Sequence, residues 1–466
     1  AEAHYRNFDD YDSPRGEVFN SSARDKGFLF RTTHQLPNGE LSVSWQSDFG
    51  GDIDRPRTNS RTVRFFYPTE DSHRFTVNYG ATNVGGFARV DLTGLLGAYH
   101  VVTDQARFAT ATRGRSLERA DVDARDFQVR ASAERLFGQA RLTVGSDVSG
   151  RFGLRALDIT EQYSTAGALT SRAENVSVDR ARRADAGVFA TIEVAPVSTL
   201  ILAGGVRGDR VSTRNRGGYF GDASTSNGSA SGFASATLDL SHGFSLTGQV
   251  ARGFRDPVLS DRYYRGPTGR GFITGNPDLD PETSLQFDGG LRYTSAKLRL
   301  GAYAFHYRID DLVERYETTT DFFFFRNRGR ARIRGVEVEA QAQLAPATSL
   351  EIAGHIQRGT ALDNGAALDD IAPDTLTLLL RHQFSSRLSA HVRGAFFATD
   401  DRPGPTEQAR PAYAVADAVV TFRFNDQLEL RGSARNLLDA AYLVSPDSRA
   451  VYAPGRSASL TVATRF

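Results

Sequence analysis

Along almost the whole chain, apolar and polar residues change places at every second position. In Gln427–Arg435, Leu428, Leu430, Gly432 and Ala434 share one face, and Gln427, Glu429, Arg431, Ser433 and Arg435 share the other. Leu388, Ala390, Val392, Gly394 and Phe396 likewise oppose Arg387, Ser389, His391 and Arg393. In Val336–Leu344, Val336, Val338, Ala340, Ala342 and Leu344 oppose Glu337, Glu339, Gln341 and Gln343. The last segment sets Ala458, Leu460, Val462 and Phe466 against Ser457, Ser459, Thr461 and Arg465. A period of two belongs to strands, and helical periodicity is scarce. The chain is therefore all-β.

Alternation alone does not say which face is wet. In a soluble sandwich the apolar faces meet; in a membrane barrel they face lipid around a polar lumen. The connections decide. Short turns near 36–39, 136–138, 195–198, 241–243, 294–296, 345–348, 385–387 and 425–426 alternate with long polar segments, about 50–71, 110–122, 161–183, 213–230, 254–283, 360–370, 400–411 and 443–454. A sandwich has no reason to gather its short turns at one end, whereas an outer-membrane barrel has short periplasmic turns and long extracellular loops. The pattern predicts a transmembrane antiparallel β-barrel of about 19 strands, from one near 26–36 to one near 455–466. By parity the first and last strands both run toward the periplasm, which puts residues 1–22 on the extracellular side. Single-chain bacterial barrels have even strand numbers, so strands upstream of Ala1 are expected.

Composition narrows the function. No run of about 18 apolar residues can form a membrane helix, a test to which barrels are blind. Cys 0 excludes disulfides, thiol catalysis and cysteine metal sites. A net charge of +1 gives no nucleic-acid footprint. Only two of the 56 basic residues are lysine, Lys26 and Lys297. A GC-rich genome accounts for that bias, though guanidinium forks also suit carboxylate and phosphate partners.

Four motifs in order carry a family resemblance. ARGFRDPVLSDRYY (251–264) and GNPDLDPETS (275–284) resemble the segment of TonB-dependent outer-membrane receptors written GFR-x-P-x-x-x-E/D…GNP-x-L-x-PE-x-S. Asn327–Leu344 is similar to their late strand N-x-G-x-A-x-I-x-G-V-E, NLLDAAY (436–442) to their NL-F/L-D-x-x-Y, and PGRSASLTVATRF (454–466) to their C-terminal ending. The motif positions carried over are Arg252, Gly253, Phe254, Pro257, Gly275, Asn276, Pro277, Pro281 and Glu282, with Phe466 as the terminal aromatic read by the barrel-assembly machinery. The resemblance implies a 22-stranded barrel type, monomeric, in the outer membrane of a Gram-negative bacterium amid lipid and lipopolysaccharide. It implies a plug domain in the lumen and energy from the TonB complex. Nothing in 1–466 reads as a plug, so the chain is expected to be the barrel domain, with the plug and about three strands missing upstream. The implied function is energised uptake of a scarce solute, foremost a ferric siderophore. Cobalamin, haem and oligosaccharide receptors, or a plugless passive pore, are the alternatives.

No enzyme constellation stands out. The nine histidines show no HExxH or close metal-ligand spacing, and Ser241–His242 lies in a short turn. Asp9–Asp10, Asp310–Asp311, Asp369–Asp370 and Asp400–Asp401 fall in loops or strand ends, where oxygen-rich loops can hold Ca²⁺. Without DxDxDG spacing they read as solvated charge, so no cofactor is expected beyond loop Ca²⁺. Ligand contact is assigned to Tyr219, Phe220, Tyr263, Tyr264, Arg265, Arg270 and Phe272, aromatic faces and guanidinium groups suited to an anionic aromatic chelate. The run Phe322–Phe325 reads as part of the aromatic girdle at the bilayer edge. Pro277 and Pro281 withhold N–H donors and end the ladder, which makes Glu282 a rim anchor.

Overall fold

A computed structural model describes residues 1–268 and 271–464. Its strands are β1 (Glu2–Phe8), β2 (Tyr11–Ser13), β3 (Gly16–Val18), β4 (Ala23–Leu36), β5 (Gly39–Asp54), β6 (Val63–Val84), β7 (Phe87–Arg107), β8 (Ser116–Phe137), β9 (Ala140–Tyr163), β10 (Leu169–Val197), β11 (Leu200–Gly218) and β12 (Asp222–Asp239). They continue as β13 (Phe244–Arg255), β14 (Arg265–Thr268), β15 (Gly271–Thr274), β16 (Glu282–Thr294), β17 (Leu298–Thr319), β18 (Phe322–Ala345), β19 (Thr348–Ala361), β20 (Thr375–Gln383), β21 (Leu388–Phe397), β22 (Tyr413–Arg423), β23 (Leu428–Arg435) and β24 (Ser457–Thr464). One helix, α1 (Leu259–Tyr263), lies between β13 and β14. All but β2 and β3 join one 22-stranded sheet. Its pairings are antiparallel except for β15 on β18. Among the described residues no helix is long and apolar enough to cross a membrane.

The register assigns the faces. Val188 pairs with Gly208 and Ser146, and Phe189 with Arg207 and Gly145. Val188 is 64% exposed, Val206 68% and Leu460 70%. Large aliphatic groups so exposed, on one face of strand after strand, form a belt that only lipid can cover. Phe30 and Trp45, directly opposite each other on β4 and β5, belong to it. The other face is polar and charged. Arg207 reaches Asp147 at 2.7 Å and Asp209 at 2.6 Å, Arg151 reaches Asp126 at 2.7 Å, Tyr303 reaches Glu339 at 2.8 Å, and Arg431 reaches Glu429 at 2.9 Å. Such half-exposed pairs are worth about 0–1 kcal/mol each; they set cross-strand register more than stability. The wet face is the lumen.

Nineteen wall strands, β4 to β13 and β16 to β24, fall where alternation places them. The additions correct the expected count. β1 forms a further wall strand, pairing from Glu2↔Leu29 to Phe8↔Ala23, so residues 2–8 climb the wall beside β4 instead of lying in an extracellular segment. Its alternation is short and weak, with only Ala3 and Tyr5 set against Glu2, His4 and Arg6 before Phe8 breaks the pattern; His4 and Arg6 bind Asp25 at 3.0 and 2.8 Å. The expected long loops 161–183 and 213–230 are also mostly strand, narrowing to the tips 164–168 and 219–221. Above the bilayer neither face of a strand meets lipid, so the polarity alternation fades while the ladder continues. At 427–443 the reverse holds: β23 ends at Arg435, and Asn436 turns the chain with φ 47°.

Candidate ligand-binding site at the barrel mouth

Residues 256–268 and 271–281 belong to a strap that leaves β13 and returns into β16. Helix α1 opens it, with the Asp261 carboxylate accepting from the Val258 N–H at 3.3 Å. Burial pushes that carboxyl above its ordinary range. Leu259 and Tyr263 pack on Ala156, Val178 and Ala181 of the β9–β10 wall. The hairpin β14–β15 then pairs β15 with the start of β18, Ile273 opposite Phe323. The strap ends in GNPDLDPE, woven into its surroundings. The Asn276 N–H donates to Asp261 O at 2.8 Å, Asn276 Nδ2 to Phe325 O at 3.2 Å, and the Asp280 N–H to Asn327 Oδ1 at 2.7 Å. Asp256 and Arg262 are buried beneath it, 3.5 Å apart.

The β17–β18 hairpin arches over the strap. At its tip, Asp321 accepts the Phe272 N–H at 2.8 Å and meets Arg57 at 3.2 Å and Arg449. Burial, then the neighbouring Arg57, pulls the Arg449 guanidinium below its ordinary value. Beside this tip lies a cation–aromatic stack. The Arg265 guanidinium sits 4.4 Å from the Tyr219 ring and 4.9 Å from Phe272, and Phe272 lies 5.6 Å from Phe322. Arg265, Phe272 and Phe322 line a cavity of about 400 Å³ that also takes Arg107, Arg119 and Asp158 from the upper wall. A second cavity of about 400 Å³ lies among the loops, with Arg55, Arg57, Arg449 and Glu407 on its walls. The chemistry is a set of aromatic faces interleaved with guanidinium groups, suited to hold an anionic, planar or chelated ligand.

The family model for the TonB dependent receptor-like β-barrel matches residues 3–437. The chain belongs to this family. Its members are transport receptors. No curated protein matches it at the sequence level. Among solved structures, the copper transporter OprC superposes with a TM-score of 0.83 at 18% identity, over 99% of this chain and 75% of that one. The siderophore receptor PiuA from Acinetobacter baumannii gives 0.76 at 14%, over 99% and 76%. The ferric yersiniabactin uptake receptor FyuA from Yersinia pestis gives 0.73 at 15%, over 100% and 74%. At such identities the likeness carries the fold, and the printed cargoes differ from one another.

Within this TonB-dependent receptor barrel, Tyr219, Arg265 and Phe272 come together as one stack, with Phe220 edge-on to Tyr219 at 4.9 Å. Tyr263 does not face the mouth. It is fully buried, its hydroxyl 3.0 Å from Thr213 Oγ1. Tyr264 is half-buried and donates to Pro267 O at 2.7 Å, and burial raises its phenol well above its ordinary value. Both are strap fasteners. Arg270 and Phe466 lie outside the described residues. Phe322–Phe325 is not a girdle segment. Val336 and Val338, the lipid-facing residues of β18, lie more than ten positions nearer the periplasm, and Phe323 is buried in the strap contact.

Of the motif positions, Glu282 takes a bidentate contact from Arg255 at 2.5 and 3.0 Å and the Val313 N–H at 2.5 Å. Gly253 faces Ser284, Arg252 donates to Ala230 O, and buried Pro257 accepts from Arg183 Nη1 at 2.8 Å. The loop acids are tied as well. Asp10 accepts the N–H groups of Asn20, Ser21 and Ser22, and Asp400 pairs with Arg410 at 3.0 Å. A histidine–carboxylate group that spacing did not reveal does exist. His100, Asp121 and Asp123 bring ligand atoms within 4.8 Å of one another across β7 and β8. Register alone joins them, as it joins Arg107, Arg119 and Asp158, so no local motif could have announced either set.

Proposed function

We propose that this barrel is the recognition and conduit part of an outer-membrane receptor that imports an anionic, aromatic-bearing metal chelate, with ferric siderophores as the leading class. The observation that carries the reading is the stack Tyr219–Arg265–Phe272–Phe322 at the edge of a cavity that Arg107 and Arg119 also line. Guanidinium groups neutralise the chelate's charge and the rings cover its flat faces. The polar ladder inside the wall supplies a hydrated path, and a plug in the lumen, moved by TonB, gates it.

Calorimetric titration of the folded barrel with ferric catecholate, hydroxamate and phenolate complexes tests the proposal. One class is expected to bind. Arg265→Ala and Phe272→Ala are each expected to weaken it about tenfold, the loss of a largely desolvated cation–aromatic contact of about 1–2 kcal/mol. Binding unchanged in both variants would move the site elsewhere. A large, constant single-channel conductance with no chelate binding would favour a passive pore.

A further inference from the structure

At the upper rim of the lipid belt, between β8 and β12, the outward face becomes basic. Register sets Arg182 of β10 directly opposite Arg214 of β11, and Arg125 of β8 opposite Phe152 of β9. Arg182, Arg210, Arg214, Phe127, Phe152 and Ser212 line a depression of about 820 Å³, to which Arg151, Arg183 and Thr213 of the alternate positions also contribute. The two rings lie 6.2 Å apart. Among the described residues no carboxylate lines the depression. Arg214 has Asp222 at 3.1 Å, whereas exposed Arg182 and Arg210 have no carboxylate partner among the described residues. Like charges directly opposite on a strand pair destabilise it, and an anion between them reverses the sign. Below the depression the same face runs on as Ala186, Val188 and Val206, the lipid belt itself.

We propose that this groove binds a phosphate-bearing lipid of the surrounding leaflet. The phosphate sits among Arg182, Arg210 and Arg214, and the acyl chains descend the belt past Val188. Guanidinium forks match phosphate oxygens bidentately. The aromatic pair at headgroup depth is what a membrane interface favours. Continuity with the belt selects a lipid over a soluble anion. The site lies outside the barrel and is independent of what enters the mouth.

The test uses the full chain, folded in zwitterionic detergent and checked for its strand signature by circular dichroism. Native mass spectrometry reads the retained lipid after addition of bis-phosphorylated lipid A, its dephosphorylated form, or lipid A with millimolar inorganic phosphate. Preferential retention of the phosphorylated lipid is expected. Arg182→Ala with Arg210→Ala should lower it at least tenfold, and so should Ser212→Trp, which fills the groove without changing charge. Lumenal Arg393→Ala should leave it unchanged. Equal retention of both lipids, full retention in the two groove variants, or displacement by inorganic phosphate alone would overturn the proposal.

Discussion

A single carboxylate ties three strands together at the rim. Glu282 is the first residue of β16, paired to Arg255 of β13 and to the Val313 N–H of β17. Removing it leaves the Val313 donor and a half-buried guanidinium without an acceptor, a loss of roughly 1–3 kcal/mol. Glu282→Ala is therefore expected to speed limited proteolysis of the strap about tenfold or more while the wall strands stay protected; unchanged cleavage would show that the strap is held elsewhere. Gly275 makes a related case through space. A Cβ there would lie 2.8 Å from the Arg262 carbonyl carbon and 2.9 Å from Asp261 O, so Gly275→Ala must push the strap off α1 and should raise the same cleavage. The sequence showed why a carboxylate follows Pro281, since the prolines stop the ladder and the next strand needs a fixed start. It could not show Val313, which reaches Glu282 only through the pairing of β16 with β17. Nor could it separate Tyr219, which stays in the open, from Tyr263, which burial consumes. Both are tyrosines in polar segments, and only the packing of α1 on β10 tells them apart.

Elements above the membrane obey a different rule from those within it. Below Phe127 and Phe152 one face of every strand meets lipid, and the alternation reads directly from the chain. Above them β9 and β10 continue for many residues with no lipid on either face, one side covered in part by α1 at Ala156, Val178 and Ala181, so the two-residue alternation fades and the sequence resembles a loop. The true loops are held by side chains. Asp369 accepts from the Thr406 N–H at 3.0 Å and its hydroxyl at 2.9 Å, while Glu407 accepts the N–H groups of Asp370 at 2.8 Å and Gly404 at 2.9 Å. This latch joins residues 362–374 to 398–412. Burial raises both carboxyls above their ordinary values, outweighing the donors, with the neighbouring Asp370 adding to the rise. A raised folded pKa means that the closed latch holds its protons more tightly than the open loops do. Its contribution is thus fully present below the ordinary carboxylate range and is lost as pH rises through the raised values. Hydrogen exchange at the Asp370, Gly404 and Thr406 amides, corrected for intrinsic rates, should show protection falling from about pH 4 toward neutrality. Protection that rises over that window would contradict the sign, and Glu407→Gln should flatten the dependence.

The whole molecule rests on the assignment of its two faces, and one pair of substitutions tests that assignment. Val188 projects from β10 near the middle of the apolar belt, one position from lumenal Phe189. Ser149 of β9 stands opposite Asp185, on the lumenal side with Asp147 and Arg151. In a lipid-embedded barrel an arginine at the belt's midplane costs about 2–4 kcal/mol, because its charge must be drawn to the interface. An arginine in the wet lumen beside Asp185 costs little, since lumen changes tune the path more than the fold. In a sandwich the apolar faces would meet and Val188 would again be the costly position, so the pair reports which face is dry and which is wet. Unfolding free energies in phospholipid bilayers should therefore fall by about 2–4 kcal/mol for Val188→Arg and stay within about 1 kcal/mol of the parent for Ser149→Arg. The reverse order would refute the barrel's orientation, and with it the lumenal path and the outer-wall lipid groove.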